Sequence, residues 1–423
     1  MPRPDLLARL ADAQAQRERA DLLRRVRTVD QVDGPRIVVG GNVLLNFASN
    51  DYLGLAQHPA LRAALVRGAV EWGVGATAAH LLGGHRREHE ALEEKLAQWT
   101  GRERALLFST GYMANIGVLS ALLGDGDLCV QDKLNHACLI DGARLAGCDL
   151  KRYVHADVDS ARRQLQSQPD AAALLATDGV FSMDGDTASL RELAALCKSE
   201  LATLMIDDAH GLGVHGDDGA GSVSAAKLSE DDVPVLMATL GKAIGVCGAF
   251  VAGSVTLIDG LTQFARAHIF TTALPPALAA AASAAIDIAR FESWRREKLQ
   301  TLVAHFRHGA AARAIPLLPS TTPIQPVLIG STADALDISR QLEANGFFVP
   351  AIRPPTVPNG AARLRVTLSA AHSESNVEGL LNALAAALEV PRATSGARDS
   401  GAPIRRSSRA RDPQRSRSGT RSR

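Results

Sequence analysis

The sequence predicts an α/β protein built on a mostly parallel sheet, with helices covering both faces. Three observations carry this. From about residue 105, short β-rich runs alternate with helical patterns: "ALLFST" precedes "YMANIGVLSALL", "DLCVQD" precedes "NHACLIDGARLAG", "AAALLATD" precedes "SLRELAALCKSE", and "ATLMID" follows. The runs are continuously apolar, as strands buried on both faces are. At 423 residues, with 46% hydrophobic and 22% charged residues, the chain can bury one large core and a smaller one.

The elements divide the chain into four parts. Residues 1–45 read as an N-terminal amphipathic helix and a small strand unit; the acids Asp5, Asp12, Glu18 and Asp21 and the lack of an apolar run argue against a targeting peptide. Residues 46–290 form the large α/β domain, to which "VPVLMATL" and "GAFVAGS" add two strands. Residues 291–390 form a separate α+β unit: after a helical region at about 276–313 come "PIQPVLIG", helical "DALDISRQLEANG", "FFVPAI", "ARLRVTLSA" and a final helix near 374–389. Residues 391–423 are an Arg/Ser tail; from Ala393 it holds nine Arg and two Asp, a local +7 in a chain whose net charge is +1, which leaves about −6 for the body. With almost no large apolar residue, the tail is expected to be disordered, and a nucleic-acid role for it is not expected. The most apolar run, Ala273 to Ile286, is broken by Pro275 and Pro276 and is too short for a bilayer. Five scattered cysteines without a C-x-x-C read as reduced thiols in a cytoplasmic protein.

In a parallel sheet, ligands sit beyond the carboxyl ends of the strands. Asp207, in "LMIDDAHGLG", closes one apolar strand; alone it reads as a helix cap or turn residue. It stands with Asp208 and His210, and Lys242 lies just past the end of another strand, in "TLGKAIG". A lysine able to form a Schiff base and a carboxylate able to keep a heteroaromatic nitrogen protonated are the two essentials of pyridoxal phosphate chemistry. The small residues beside Lys242 are expected to leave room for the cofactor. "FSTGYMANI" supplies a phosphate cradle, a strand followed by Ser109, Thr110 and Gly111 and a helix beginning near Tyr112. Thr239 can add a hydroxyl, and His136 opens a helix where its ring can stack on the cofactor.

The chain resembles the α-oxoamine synthases, pyridoxal-phosphate enzymes of the aspartate-aminotransferase fold (fold type I). The match runs from roughly residue 20 to 390 and rests on "NFASNDYLGLAQHP" (46–59), "FSTGYMAN" (108–115), "NHACLIDGARLAG" (135–147), "DGVFSMDGD" (178–186), "IDDAHGLGVHG" (206–216), "TLGKAIGVCG" (239–248), "TTALPP" (271–276), "IRPPTVP" (352–358) and "RLRVTLSAAH" (363–372). The resemblance implies that Lys242 is the Schiff-base lysine and catalytic base. Asp207 would pair with the pyridine nitrogen, His210 with the phenolic oxygen, and His136 would stack on the ring. Gly111, Tyr112 and Thr239 would serve the phosphate, and Ser182 would lie near the ring. Asn50 and Arg365 would receive the amino acid's carboxylate, Thr356 would line the acyl pocket, and Arg24 or Arg25 would face the far end of the acyl substrate. The implied substrates are L-alanine and a pimeloyl thioester, carried by coenzyme A or an acyl-carrier protein; the alternative is a member that uses glycine. A homodimer with shared active sites is implied, and no membrane partner. Two departures stand out. Asp178 occupies a position where many relatives carry Glu, and "GVGATAAHLLGGH" (73–85) differs from the glycine-rich form common in the family, whose segment reaches the neighbouring subunit.

Two other signals are set aside. "GVGATA" fits a loose dinucleotide pattern but follows a helical stretch, not a strand. His85 and His89 have a metal-compatible spacing, but no third ligand group is evident, so they read as an exposed helix-start face with no metal.

Overall fold

The computed structural model describes residues 3–389; the basic tail falls outside the described residues. The helix α1 (Leu6–Arg19), capped by Asp5, buries none of its side chains. It is followed by β1 (Gln31–Asp33), β2 (Arg36–Val39) and β3 (Asn42–Asn46), an antiparallel meander. Next come α2 (Pro59–Trp72), which starts at a His58 cap with proline at its first position, and α3 (Arg87–Thr100).

The central sheet begins with β4 (Arg104–Phe108) and α4 (Gly111–Leu122), then β5 (Leu128–Asp132), α5 (Ala137–Ala146), β6 (Asp149–Tyr153) and α6 (Val158–Leu165). It continues with β7 (Ala173–Asp178), α7 (Leu190–Ser199), β8 (Thr203–Asp207), α8 (Ser222–Ala225), β9 (Val235–Thr239) and β10 (Ala249–Gly253). The seven strands lie in the order β4-β10-β9-β8-β7-β5-β6. The pairs among β5, β6, β7, β8 and β9 are parallel, and β10 is antiparallel to both of its neighbours. This is the mixed, mostly parallel sheet that the continuous apolar runs predict. One strand was not anticipated: β6, "DLKRY", is half-exposed over four of its five residues, so it carries no apolar run.

Two short helices, α9 (Val255–Phe264) and α10 (Arg266–Ile269), lead to α11 (Pro276–Phe291) and α12 (Trp294–Ala312). Then follow β11 (Ile324–Gly330), α13 (Thr332–Ala344), β12 (Phe347–Phe348), β13 (Ala351–Ile352), β14 (Ala362–Thr367) and α14 (Glu374–Glu389). The "FFVPAI" run is split between two sheets. β13 joins β11 and β14, whereas β12 pairs in parallel with β3 and so ties the N-terminal meander to a segment some 300 residues away.

Helices α2 and α11 cross where neither carries bulk. A Cβ added at Gly68 would lie 2.7 Å from the Ala277 Cα and 3.3 Å from its Cβ, so the glycine sets the approach of the two helices. Gly68→Ala is expected to force them apart and cost about 1–3 kcal/mol. Its thermal midpoint should fall clearly, while the control Val66→Ala, on the exposed face of the same helix, should stay within about 0.5 kcal/mol of the parent. A Gly68→Ala protein as stable as the parent would show that the crossing has slack.

Candidate active site

The parallel strands point their carboxyl ends the same way, and register places Asp178 opposite Asp207 and Asp207 opposite Met237. The N-terminal ends of α4 and α5 meet these strand ends. Thr110 caps α4 through the Met113 N–H, and His136 caps α5. Together they enclose a cavity of about 200 Å³. Gly111, Tyr112, His136, Ser182, Asp207, His210, Thr239 and Lys242, all proposed from the sequence as cofactor residues, line this one space.

Asp207 is 6% exposed. Its Oδ2 accepts from Asn115 Nδ2 at 2.6 Å and its Oδ1 from the Ala209 N–H at 3.0 Å. Asn115 and Cys138 are functional neighbours that the residue-by-residue reading missed. Asn115 is fully buried, and Cys138 Sγ sits 2.9 Å from its amide and 2.8 Å from His136 Nδ1. Asn115 stands inside the quoted "FSTGYMAN", but nothing in the sequence places it against a strand end 92 residues away. Asp178, left unassigned, also lines the cavity. It is buried and accepts from the His136 N–H at 3.2 Å. Burial and the adjacent Asp207 push its pKa up, with the His136 N–H opposing.

Lys242 Nζ lies 2.9 Å from His210 Nε2, and His210 Nδ1 lies 2.6 Å from the Tyr52 hydroxyl. Tyr52 donates to Asn50 Oδ1 at 3.2 Å, and the same oxygen accepts from both terminal nitrogens of Arg365 at 3.2 Å each. Arg365 Nε is anchored on the Ser182 carbonyl at 2.6 Å. Asn50 and Arg365 are thus joined to the cavity wall by one hydrogen-bonded chain. Tyr52 is the link that the sequence reading did not single out. Burial lowers the pKa of Lys242, with Asp207 and Asp178 opposing. Burial and then the lysine's charge hold His210 far below the usual histidine range, so its ring is neutral. Burial also lowers His136.

The two glycines flanking Lys242 have different causes. A Cβ on Gly241 would meet nothing nearer than Thr239 Oγ1 at 3.6 Å, leaving open space as expected. Gly245, at φ +71°, is pressed against the chain instead: its Cβ would stand 2.6 Å from Ala56 N and 2.9 Å from the Leu55 carbonyl carbon. The expectation that both glycines clear room for a cofactor therefore holds for Gly241 and not for Gly245.

Thr356 and Arg24 lie apart from the cavity lining, and both are exposed. Arg353 donates to the Asp21 and Leu23 carbonyls, which brings the N-terminal segment carrying Arg24 against the "RPPTVP" stretch. The pair at His85 and His89 needs correction. His89 is fully buried, with one ring nitrogen on the Arg86 N–H and the other 2.6 Å from the Leu274 carbonyl, because it closes the first turn of α3. A third potential ligand group does exist: His85, Glu90 and Glu93 bring one ligand atom each to within 4.8 Å of one another. His85 is bonded to Glu90, and Glu93 accepts the Leu107 N–H, so hydrogen bonds already occupy these groups.

The donor set suits pyridoxal phosphate. The cavity presents an amine, a carboxylate with both oxygens oriented, a neutral imidazole face and a helix N-terminus. Each would suit a different part of that molecule: aldehyde, ring nitrogen, ring face and phosphate.

The family model for aminotransferase class I and II matches residues 42–384. An 8-amino-7-oxononanoate synthase of Saccharophagus degradans is 55% identical over 365 residues, 86% of this chain and 91% of the relative. One from Pseudomonas putida is 55% identical over 384 residues, 90% of this chain and 96% of the relative. Among solved structures, serine palmitoyltransferase from S. paucimobilis with bound PLP and myriocin is similar at TM-score 0.86 and 28% identity, covering 91% of this chain and 98% of that one. An 8-amino-7-oxononanoate synthase from Francisella tularensis is similar at TM-score 0.72 and 29% identity, covering 82% and 98%.

The glycine contrast yields a paired test. Gly245→Ala combines a strained backbone with a backbone clash and is expected to cost roughly 1–3 kcal/mol, seen as a lower thermal midpoint. Gly241→Ala should leave that midpoint unchanged, and any defect should appear in cofactor affinity. Equal midpoints for the two variants would overturn the distinction.

Proposed function

The chain belongs to the class I and class II aminotransferase family and is a pyridoxal-phosphate-dependent acyltransferase of biotin synthesis; on that premise, we propose that it joins L-alanine to a pimeloyl thioester. The acyl group is carried on coenzyme A or an acyl-carrier protein. A bond forms from alanine Cα to the acyl carbonyl carbon, the carrier thiol leaves, and alanine's carboxyl departs as CO₂, giving 8-amino-7-oxononanoate. The observation that carries the reading is the convergence of Lys242, Asp207 and His136 on one cavity at the strand ends.

When bound, pyridoxal phosphate supplies an electron sink for the charge that develops at alanine Cα. Lys242 anchors the cofactor and then takes the Cα proton; burial lowers its pKa, which brings its amine toward the range a general base needs. Asp207 keeps a proton on the ring nitrogen, its oxygens held in place by Asn115 and Ala209. His136 would lay its ring against the cofactor's face, and His210, whose Nε2 lies 2.9 Å from Lys242 Nζ, would partner the phenolic oxygen. Gly111, Tyr112 and Thr239 meet the phosphate at the positive end of α4. Arg365 and Asn50 receive alanine's carboxylate, and Thr356 with Arg24, which lie apart from the cavity lining, would serve the acyl group.

Exposed apolar residues on the 73–85 segment, Val74 (89%), Leu81 (55%) and Leu82 (80%), support a homodimer in which this segment is covered by a second copy. Five free cysteines support a reducing, cytoplasmic setting.

Lys242→Ala should lose borohydride-fixable cofactor and essentially all turnover; a pyridoxyl label recovered by peptide mapping on another lysine of the parent protein would place the anchor elsewhere. Asp207→Asn keeps the shape but cannot hold the ring nitrogen protonated. Exchange of alanine's α-proton, followed by NMR in deuterated buffer, should slow by roughly 10³-fold, about 4 kcal/mol of barrier. Exchange at the parent rate would give the ring nitrogen another partner.

A further inference from the structure

His155, in the turn between β6 and α6, has no part in the chemistry above, yet its ring bridges two carboxylates. Nδ1 lies 3.0 Å from Asp132 Oδ1 and Nε2 lies 2.7 Å from Asp186 Oδ2. The ring stands edge-on to Phe181, with centroids 4.5 Å apart at 89°. Both aspartates help shape turns that carry site residues, Asp132 through its carboxylate and Asp186 through its backbone carbonyl. Asp132, 1% exposed at the end of β5, accepts the Leu134 N–H at 2.8 Å and the Ala156 N–H at 2.9 Å, and so forms the turn leading to His136. The Asp186 carbonyl accepts the Phe181 N–H at 2.9 Å and closes the turn that presents Ser182, on whose carbonyl Arg365 rests.

We propose that His155 is a positioning residue: as an imidazolium it pins the His136 turn to the Ser182 turn, and so fixes the ring-stacking side of the site relative to the carboxylate-binding side. It touches neither cofactor nor substrate and acts only through these two turns. The proposal rests on the roles given above to His136 and Arg365.

A neutral imidazole has one N–H and could satisfy only one of the two carboxylates, leaving a lone pair against the other. Burial opposes the charge, but the hydrogen bonds to Asp132 and Asp186 outweigh it and raise the pKa to about 10. Other charged groups beside this turn are Arg152 of β6, which donates to the Asp132 and Lys133 carbonyls, Asp157, which caps α6, and Asp178, whose charge acts on Asp132. Because the folded pKa is raised above 6.5, the clamp's contribution is complete below that pH and is lost as pH climbs through about 10.

The test uses the holoenzyme with alanine and pimeloyl-coenzyme A. His155→Gln and Asp186→Asn should each raise the KM for alanine about tenfold while kcat changes less than about threefold. The parent's alanine KM should climb above pH 9 more steeply than that of either variant. If both variants lower the thermal midpoint and leave KM, kcat and their pH profiles unchanged, His155 only supports the fold, and the proposal fails. Should the variants not fold, ¹⁵N NMR of the parent decides: both His155 nitrogens protonated at pH 8 supports the clamp, and a singly protonated ring overturns it. A parent that binds cofactor but does not turn over alanine would refute the functional reading instead, which separates the two failures.

Discussion

Two carboxylates, Asp178 and Asp207, are register partners on adjacent parallel strands, and both are buried. Like charges side by side in a low-dielectric setting are costly unless each is met by donors or a cation. Here the donors come from outside the sheet. Asn115 on α4 and the Ala209 N–H hold Asp207, the His136 N–H holds Asp178, and the ammonium of Lys242 acts on both. Satisfying this pair pulls the starts of α4 and α5 and the loop after β9 onto the strand ends, and the cavity is the space they leave. The raised Asp178 and the lowered Lys242 follow from the same burial.

The parallel direction of β5, β7, β8 and β9 is what lets one cavity collect so many groups, since every strand delivers its next polar residue to the same end. The remaining wall is supplied from far along the chain. Arg365 sits on β14, in a different sheet, and reaches the site through the Ser182 carbonyl and Asn50. Its partner Thr367 and the β11–β14 pairing hold the strand rigid, so that the cation is presented at a fixed place.

Residues whose position depends on local context were legible in the sequence, and the cavity gathers them. The run "LMID" marks a strand, and Asp207, Lys242 and His136 each stand at or just past a strand's carboxyl end, where a parallel sheet gathers ligand-facing residues. Pairings across long separations were not. Nothing in "NVLLN" or "FFVPAI" announces that β3 and β12 run in parallel, because both are short and half-buried. Strand β6 escaped because an edge strand can carry "DLKRY" without an apolar run. Tyr52 and Asn115 escaped for a related reason. Their side chains act on His210 and Asp207, each far away in sequence, and a buried hydrogen bond between distant residues leaves no periodic trace. His89 was misplaced on the surface because helical spacing gives the face but not what covers it, and here α11 is packed on α3 with the Leu274 carbonyl as its partner.

The aspartate at position 178 shows how a shorter side chain serves this site. Its carboxylate accepts the His136 N–H at 3.2 and 3.4 Å while its backbone N–H donates to Asn135 Oδ1 at 3.2 Å. Asn135 in turn donates to the Ala176 carbonyl at 2.8 Å. The turn that delivers His136 is therefore laced to the end of β7 at three points, two of them through Asp178. A carboxylate one methylene farther from the backbone would have to fold back to reach the same N–H, at a position only 3% exposed. With aspartate, the acid stays at the floor of the cavity as a structural acceptor. The neighbouring Asp207, held by Asn115 and Ala209, is left as the acid that the proposed function turns to the cofactor, so two acids of like type on adjacent strands acquire different surroundings from the donors that reach them.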